Sequence, residues 1–326
     1  MNGSIFNFTY DEFSSYQYYW EEETNYFVDV VYLLIATVGC IAFVGNAFII
    51  GVALSTVKIR KKRSNYFIMN LALQDAFVGF TVATIYIITY KSAYTDLNIS
   101  ILTFCSYTYT ALLLSSMLAI LMIAIERCFA IIAPFQHRLY VTKFTLSVAI
   151  FIDWLVFGGM YIFLKYFEGS PLVMPIFMLC IISTNFLIYL VIFLSVKIHS
   201  SKIQRVCNRP ISRKKQMNRD ARLITTFAIL LGILITCFVP FWVLDILLRT
   251  SSSPAVNEAI FVTTVLIPLN SAVNMFVYWW RIPEFRTAYK RVFSCKKCEE
   301  KQSTTQNRSA NNNKQHTKIS IISSRI

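Results

Sequence analysis

Long apolar runs, each closed by charged residues, recur near residues 28–55, 65–90, 101–131, 144–164, 173–197, 222–248 and 259–280. A helix rises about 1.5 Å per residue, so each run can cross a hydrocarbon layer about 30 Å thick. In lipid, backbone polar groups must pair within their own segment, which leaves the α-helix as the form such runs take. The pattern predicts an all-α membrane protein, a seven-transmembrane helix bundle. After the seventh run, Pro283 opens a shorter stretch of different character. Phe285, Tyr289, Val292 and Phe293 fall on one face and Arg286, Lys290 and Arg291 on the other. That is the pattern of a short amphipathic cytoplasmic helix lying along a leaflet.

Charge gives the bundle a direction. The 326 residues carry 31 Lys and Arg against 17 Asp and Glu, a formal charge of +14. Of those 31, only Lys91, Lys165 and Arg249 lie in loops that alternate to one side; the others gather on the opposite side. Positive residues stay cytoplasmic, so the N-terminus is expected outside and the C-terminus inside. The basic excess is thereby assigned to an inner membrane face and not to nucleic acid. Asn2 and Asn7 on the outer arm and Asn98 in an outer loop match the glycosylation pattern. Asn307 also matches but falls in the cytoplasmic tail, where it should stay unmodified. No cleavable leader is evident in residues 1–27, which are polar, aromatic and acidic, so the first span is expected to direct insertion. The chain then divides into an extracellular arm (1–27), a seven-span domain (28–281), an amphipathic region (282–298) and a disordered cytoplasmic tail (299–326). The eight cysteines are scattered and do not read as a disulfide framework.

Polar groups at bilayer depth are costly, which makes Asn46, Asp75, Ser116, Asp153, Asn270 and Asn274 functional candidates. Motifs around them are similar to those of rhodopsin-like (class A) G protein-coupled receptors. The first span holds Gly45-Asn46 and the second Leu71-Ala72-Leu73-Gln74-Asp75. The third ends in Glu126-Arg127-Cys128 and the fourth carries Trp154. The sixth has Cys237-Phe238-Val239-Pro240, and the seventh Asn270-Ser271 and Asn274-Met275-Phe276-Val277-Tyr278. Each sits on the appropriate span and in the appropriate order, so the resemblance extends from Asn46 to Cys298.

That resemblance implies several roles. Asp75, Ser116, Asn270 and Asn274 would line a sodium pocket, a chemistry suited to oxygen ligands; the alternative is an interhelical polar network without an ion. Arg127, paired with Glu126 and Asp220, would tie the third and sixth spans together at rest, or Asp220 is a solvated loop acid. Release would let the sixth span move around Pro240, with Phe238 as the switch and Tyr189 and Tyr278 stabilising the open form. Cys295 and Cys298 would be palmitoylated, or remain free thiols. The implied partners are a heterotrimeric G protein, arrestin, receptor kinases, membrane lipid and an extracellular ligand at the plasma membrane.

The family pattern also breaks. The second outer loop lacks the usual cysteine, Ile181 stands near the fifth-span proline, and Met275 and Phe238 replace the seventh-span proline and sixth-span tryptophan. Pro268 could supply the seventh-span kink instead. These losses resemble the melanocortin branch and its cannabinoid and adenosine relatives, although Ile85, Leu102 and Ser106 stand where melanocortin receptors hold acids. By the same comparison the ligand pocket would be lined by Tyr86, Tyr109, Trp242, Asp245, Ile260 and Thr264. Tyr109 occupies the place of the amine receptors' aspartate, which argues against a monoamine. Asp245 could meet a cationic ligand group or pair with Arg249. The acidic, tyrosine-rich outer arm suggests a cationic peptide, with a lipid or nucleoside ligand as competitor. A proton-coupled transporter using Asp75 and Asp153 is the rival from another class, and Asp153 has no evident partner in the sequence. His137, His199 and His316 form no catalytic cluster, so an enzyme is not expected.

Overall fold

The computed structural model describes residues 25–63, 65–90, 96–166, 173–206, 211–250 and 254–293. Within them the chain is helical: α1 (Asn25–Ser55), α2 (Val57–Arg60), α3 (Asn65–Tyr90), α4 (Asp96–Ile132), α5 (Pro134–Tyr140), α6 (Lys143–Tyr166), α7 (Val173–Val206), α8 (Ile211–Thr250), α9 (Pro254–Thr263), α10 (Leu266–Arg281) and α11 (Pro283–Phe293). Seven segments are long and apolar enough to cross a membrane: α1, α3, α4, α6, α7, α8 and the α9–α10 pair. Several helices outrun the hydrophobic stretches that predict them; α7 and α8 continue for a few turns beyond the apolar residues. The backbone ladder does not stop where the hydrocarbon does.

The third span, α4, is the most enclosed and the fourth, α6, the least. Phe151 and Leu155 on α6 are more than half exposed. Such apolar surface suits a lipid solvent, in which burial of apolar groups does not drive packing. Polar residues within the rods are satisfied locally. Thr103, Ser106, Thr108 and Thr110 in α4 each return a hydroxyl bond to the carbonyl four residues earlier.

Small residues set the tightest contact. Gly39 of α1 and Gly79 of α3 face each other so closely that a Cβ on Gly79 would lie 2.5 Å from the Gly39 oxygen and 2.5 Å from the Phe43 nitrogen. Two backbones therefore meet without side chains between them. Lower on α1, the thioether of Met275 in α10 occupies the space where Gly45 lacks a Cβ. The seventh span keeps a helical backbone at Met275 and breaks instead at Thr264–Val265. Pro268 has no N–H to offer, and its ring disfavours a helical carbonyl four residues earlier, at Thr264. The Val265 nitrogen bonds the Val262 carbonyl at 3.2 Å, a tighter turn. α8, by contrast, runs on through Pro240.

At the end of the bundle, α11 buries Phe285 and Ala288 and leaves Arg286 and Thr287 exposed, the amphipathic division expected from the sequence. Tyr289 packs edge-on against Phe48 at 5.0 Å, and burial pushes its phenol up to about 12. Lys62, beyond α2, bonds Glu284 of α11 at 2.9 Å.

Replacing Gly79 with alanine is expected to force α1 and α3 apart and cost about 1–3 kcal/mol, the usual scale of overpacking. Gly51→Ala, where a Cβ meets nothing within 4 Å, is expected to be neutral. Thermal unfolding of the two purified variants compares them directly; equal midpoints would refute the backbone seam.

Candidate functional site

Two buried carboxylates lie on opposite sides of the α3–α4 pair. Asp75 belongs to α3 and is fully shielded. Its Oδ1 accepts from the hydroxyls of Ser271 at 2.7 Å and Ser116 at 3.3 Å, and its Oδ2 accepts from the Asn274 amide at 2.6 Å. Asn46 donates to the Ser271 carbonyl at 3.0 Å, which brings α1 to the same place. Of the four residues anticipated for a sodium pocket, Asp75, Ser116 and Asn274 converge. Asn270 is buried nearby in sequence, and its Oδ1 has no hydrogen-bond partner. Ser271, read only as part of a motif, makes the shorter of the two hydroxyl contacts.

The second carboxylate corrects the sequence reading. Asp153 of α6 has partners: its Oδ2 accepts from Asn70 at 2.8 Å and Gln74 at 2.6 Å, and its Oδ1 accepts from Ser115 at 3.2 Å. Gln74 also donates to Ser115 at 2.6 Å, and the Trp154 indole donates to Asn70 at 2.9 Å. All three partners come from α3 and α4, on other rods, so no periodicity within α6 could reveal them. Gln74 and Asp75 are neighbours, as are Ser115 and Ser116. Successive residues on a helix point about 100° apart, and here Gln74 and Ser115 bond Asp153 while Asp75 and Ser116 bond each other.

At the far end of α4, Arg127 forms an ion pair with Glu126, and both are largely buried. The other Glu126 oxygen meets His137 Nε2 of α5 at 2.9 Å. This role of His137 escapes sequence reading, because the contact joins residues across the Ala133 junction between helices. Arg63 donates to the Val141 carbonyl at 2.7 Å, fastening the preceding inner segment to the end of α5. The expected Asp220 partner lies in α8, but its side chain falls outside the described residues. Tyr189 and Tyr278 are buried, and the hydroxyl of each lacks a hydrogen-bond partner. Tyr278 rests against Phe285, with ring centroids 6.4 Å apart.

Toward the opposite end, a cavity opens among α1, α3, α4, α7, α8 and the α9–α10 junction. Phe238, Phe241 and Trp242 border it on the α8 side. Its polar atoms are the hydroxyls of Tyr86, Ser106, Tyr109, Thr110 and Thr264, with the Trp242 indole. The Thr264 hydroxyl donates to the Phe261 carbonyl at 2.6 Å, at the helix break. Of the residues anticipated for a ligand pocket, Tyr86, Tyr109, Trp242 and Thr264 border this cavity. Asp245 and Ile260 are buried but do not border the cavity. Asp245 sits three residues after Trp242, about 60° around the helix, and Trp242 occupies that wall. Asn2, Asn7, Cys295 and Cys298 lie outside the described residues, as does the side chain of Asn98. Cys105 and Cys180 are free. Among the described residues, no group of three or more His, Cys, Asp or Glu could hold a metal.

Comparison with known proteins agrees with this layout. The family described as 7 transmembrane receptor (rhodopsin family) matches residues 45–278. The histamine H2 receptor of Rattus norvegicus is 24% identical over 300 residues, covering 81% of this chain and 79% of that receptor.

Asp153→Leu leaves three buried donors without their acceptor, at about 1–3 kcal/mol apiece. It is expected to lower the thermal midpoint far more than Ser115→Ala does. Similar midpoints for the two variants would mean that the α3–α4–α6 network contributes little.

Proposed function

The chain belongs to the rhodopsin family of seven-transmembrane receptors, and on that premise we propose how this multi-pass plasma-membrane receptor signals to its heterotrimeric G protein. An extracellular ligand enters the cavity above Phe238 and favours a conformer in which α8 has moved outward at its inner end. The N-terminus lies outside the cell, and α5, α11 and the basic segments face the cytoplasm. The observation that carries this reading is the buried Arg127–Glu126 pair, closed on its other oxygen by His137. A guanidinium withdrawn from water needs its carboxylate, and separating a buried pair costs about 3–5 kcal/mol. That cost is what differential ligand binding must overcome to shift the population. Asp220, Tyr189 and Tyr278 complete the exchange: Asp220 holds Arg127 at rest, and the two tyrosine hydroxyls receive polar partners in the open form.

The oxygens around Asp75 fit a sodium ion. The carboxylate and two serine hydroxyls form a hard-donor set, and Asn270, next to Ser271 in α10, has a buried Oδ1 without a hydrogen-bond partner. Bound there, sodium would neutralise Asp75 and hold α3, α4 and α10 in the resting arrangement. Glycosylation at Asn2, Asn7 and Asn98, palmitoylation at Cys295 and Cys298, and recognition by arrestin and receptor kinases belong to the same reading. The division into an outer arm, a seven-span domain, an inner amphipathic region and a tail does too. α11 lies along the inner leaflet, with its Arg286 side toward lipid headgroups.

Nucleotide exchange on a G protein in membranes that contain the full chain is the direct test. Glu126→Gln is expected to raise resting exchange several-fold and Arg127→Ala to abolish stimulation. Substrate flux with no exchange would favour the transporter instead. Sodium is expected to lower resting exchange relative to a bulky organic cation, and Asp75→Asn to remove that difference. A sodium effect of full size in Asp75→Asn would place the ion elsewhere.

A further inference from the structure

The chemistry of the cavity narrows the ligand. No charged side chain is among the described residues that line it. Its wall is apolar, with Ile35, Val82, Ile85 and Leu113 among the contributors, and its polar atoms are hydroxyls and one indole N–H. A ligand with a formal charge would lose its hydration on entry and find no opposite charge, which costs several kilocalories per mole in low dielectric. The hydroxyls are not spread evenly. Tyr86 and Tyr109 pack against the same Ile85, Leu102 and Cys105 cluster, and Thr264 lines the same cavity. They form one small polar spot in an otherwise oily chamber.

We infer that the ligand is an uncharged amphiphile: an apolar body in the Ile35–Leu113 chamber and a single uncharged hydroxyl- or carbonyl-bearing head at Tyr86, Tyr109 and Thr264. This rests on the receptor reading above and names the class of molecule that the receptor answers to. A cationic peptide fits poorly, because Asp245, the nearest acid in the sequence to this wall, does not border the space. A nucleoside offers many donors and acceptors, and most would face Ile, Val or Leu. The head group's position has a mechanical consequence. Thr264 lies at the break before Pro268, so a ligand oxygen that takes the Tyr86 or Thr264 hydroxyl alters the joint of the seventh span, two turns before Ser271 and Asn274 reach Asp75.

The test compares three probes with one hydrocarbon chain: monopalmitoylglycerol, palmitate and hexadecylammonium. Binding is measured to the full-length receptor in lipid nanodiscs, with empty nanodiscs subtracted, and nucleotide exchange is followed in parallel. The uncharged probe is expected to show a saturable component, with the two charged probes competing at least about tenfold less well. Tyr86→Phe and Tyr109→Phe, which each remove one oxygen, are expected to weaken it about fivefold apiece. Leu113→Trp, which fills the chamber, is expected to abolish it. The proposal is overturned if hexadecylammonium binds as well as the uncharged probe, above all if Asp245→Asn removes that binding. It is also overturned if no saturable component exists, or if both tyrosine variants leave that component unchanged. Exchange driven only by a charged probe would sink the ligand class and leave the receptor intact. Saturable uncharged binding that never alters exchange would support the ligand class and sink the receptor reading.

Discussion

A carboxylate enclosed within a membrane bundle has no water to fall back on, and Asp75 and Asp153 are two such groups here. Asp75 and Asp153 are each held by hydrogen bonds from three side chains on other turns or other helices. Because lipid tails are as apolar as leucine, packing alone gives the helices little reason to choose one arrangement. The need to satisfy two buried acids supplies that reason. Gln74 and Ser115 bond Asp153 while their neighbours Asp75 and Ser116 bond each other, so α3 and α4 cannot rotate to serve one acid without abandoning the other. α6, α1 and α10 then assemble around this pair.

Much of this was legible in the chain. The seven spans announce themselves by length, and Asp75 by being an acid in the middle of one. Glu126–Arg127 stood out as a motif, and α11 as a stretch with two unlike faces. What escaped reading was every contact set by the angle between rods. Asp153 seemed solitary because its partners belong to α3 and α4. Gln74 looked like a filler position within a motif, yet its amide bridges two helices. His137 was one of three scattered histidines until α5 folded it onto Glu126. Counting residues from Pro240 put Asp245 in the pocket lining; it is buried three residues beyond Trp242 and is not among the described residues that border the cavity.

The seventh span joins the two ends of the molecule. Its upper part touches the cavity through Thr264, the backbone breaks there ahead of Pro268, and its lower part carries Ser271, Asn274 and Tyr278 to the buried acid and to Phe285. The break lies more than two turns earlier than Met275, where the resembling receptors have their proline. A helix break beside the cavity and a continuous rod through the polar core thus connect the two regions within one span.

The glycine seam joins α1 and α3, which both border that cavity. Side chains normally provide the cushion that lets two helices slide or tilt, because rotamers absorb small displacements. At Gly39 and Gly79 that cushion is missing and main chain bears on main chain, so this flank of the barrel behaves as a stiff keel. Two absent methyl groups thus give the cavity a firm boundary on the side that Ile35 and Val82 line.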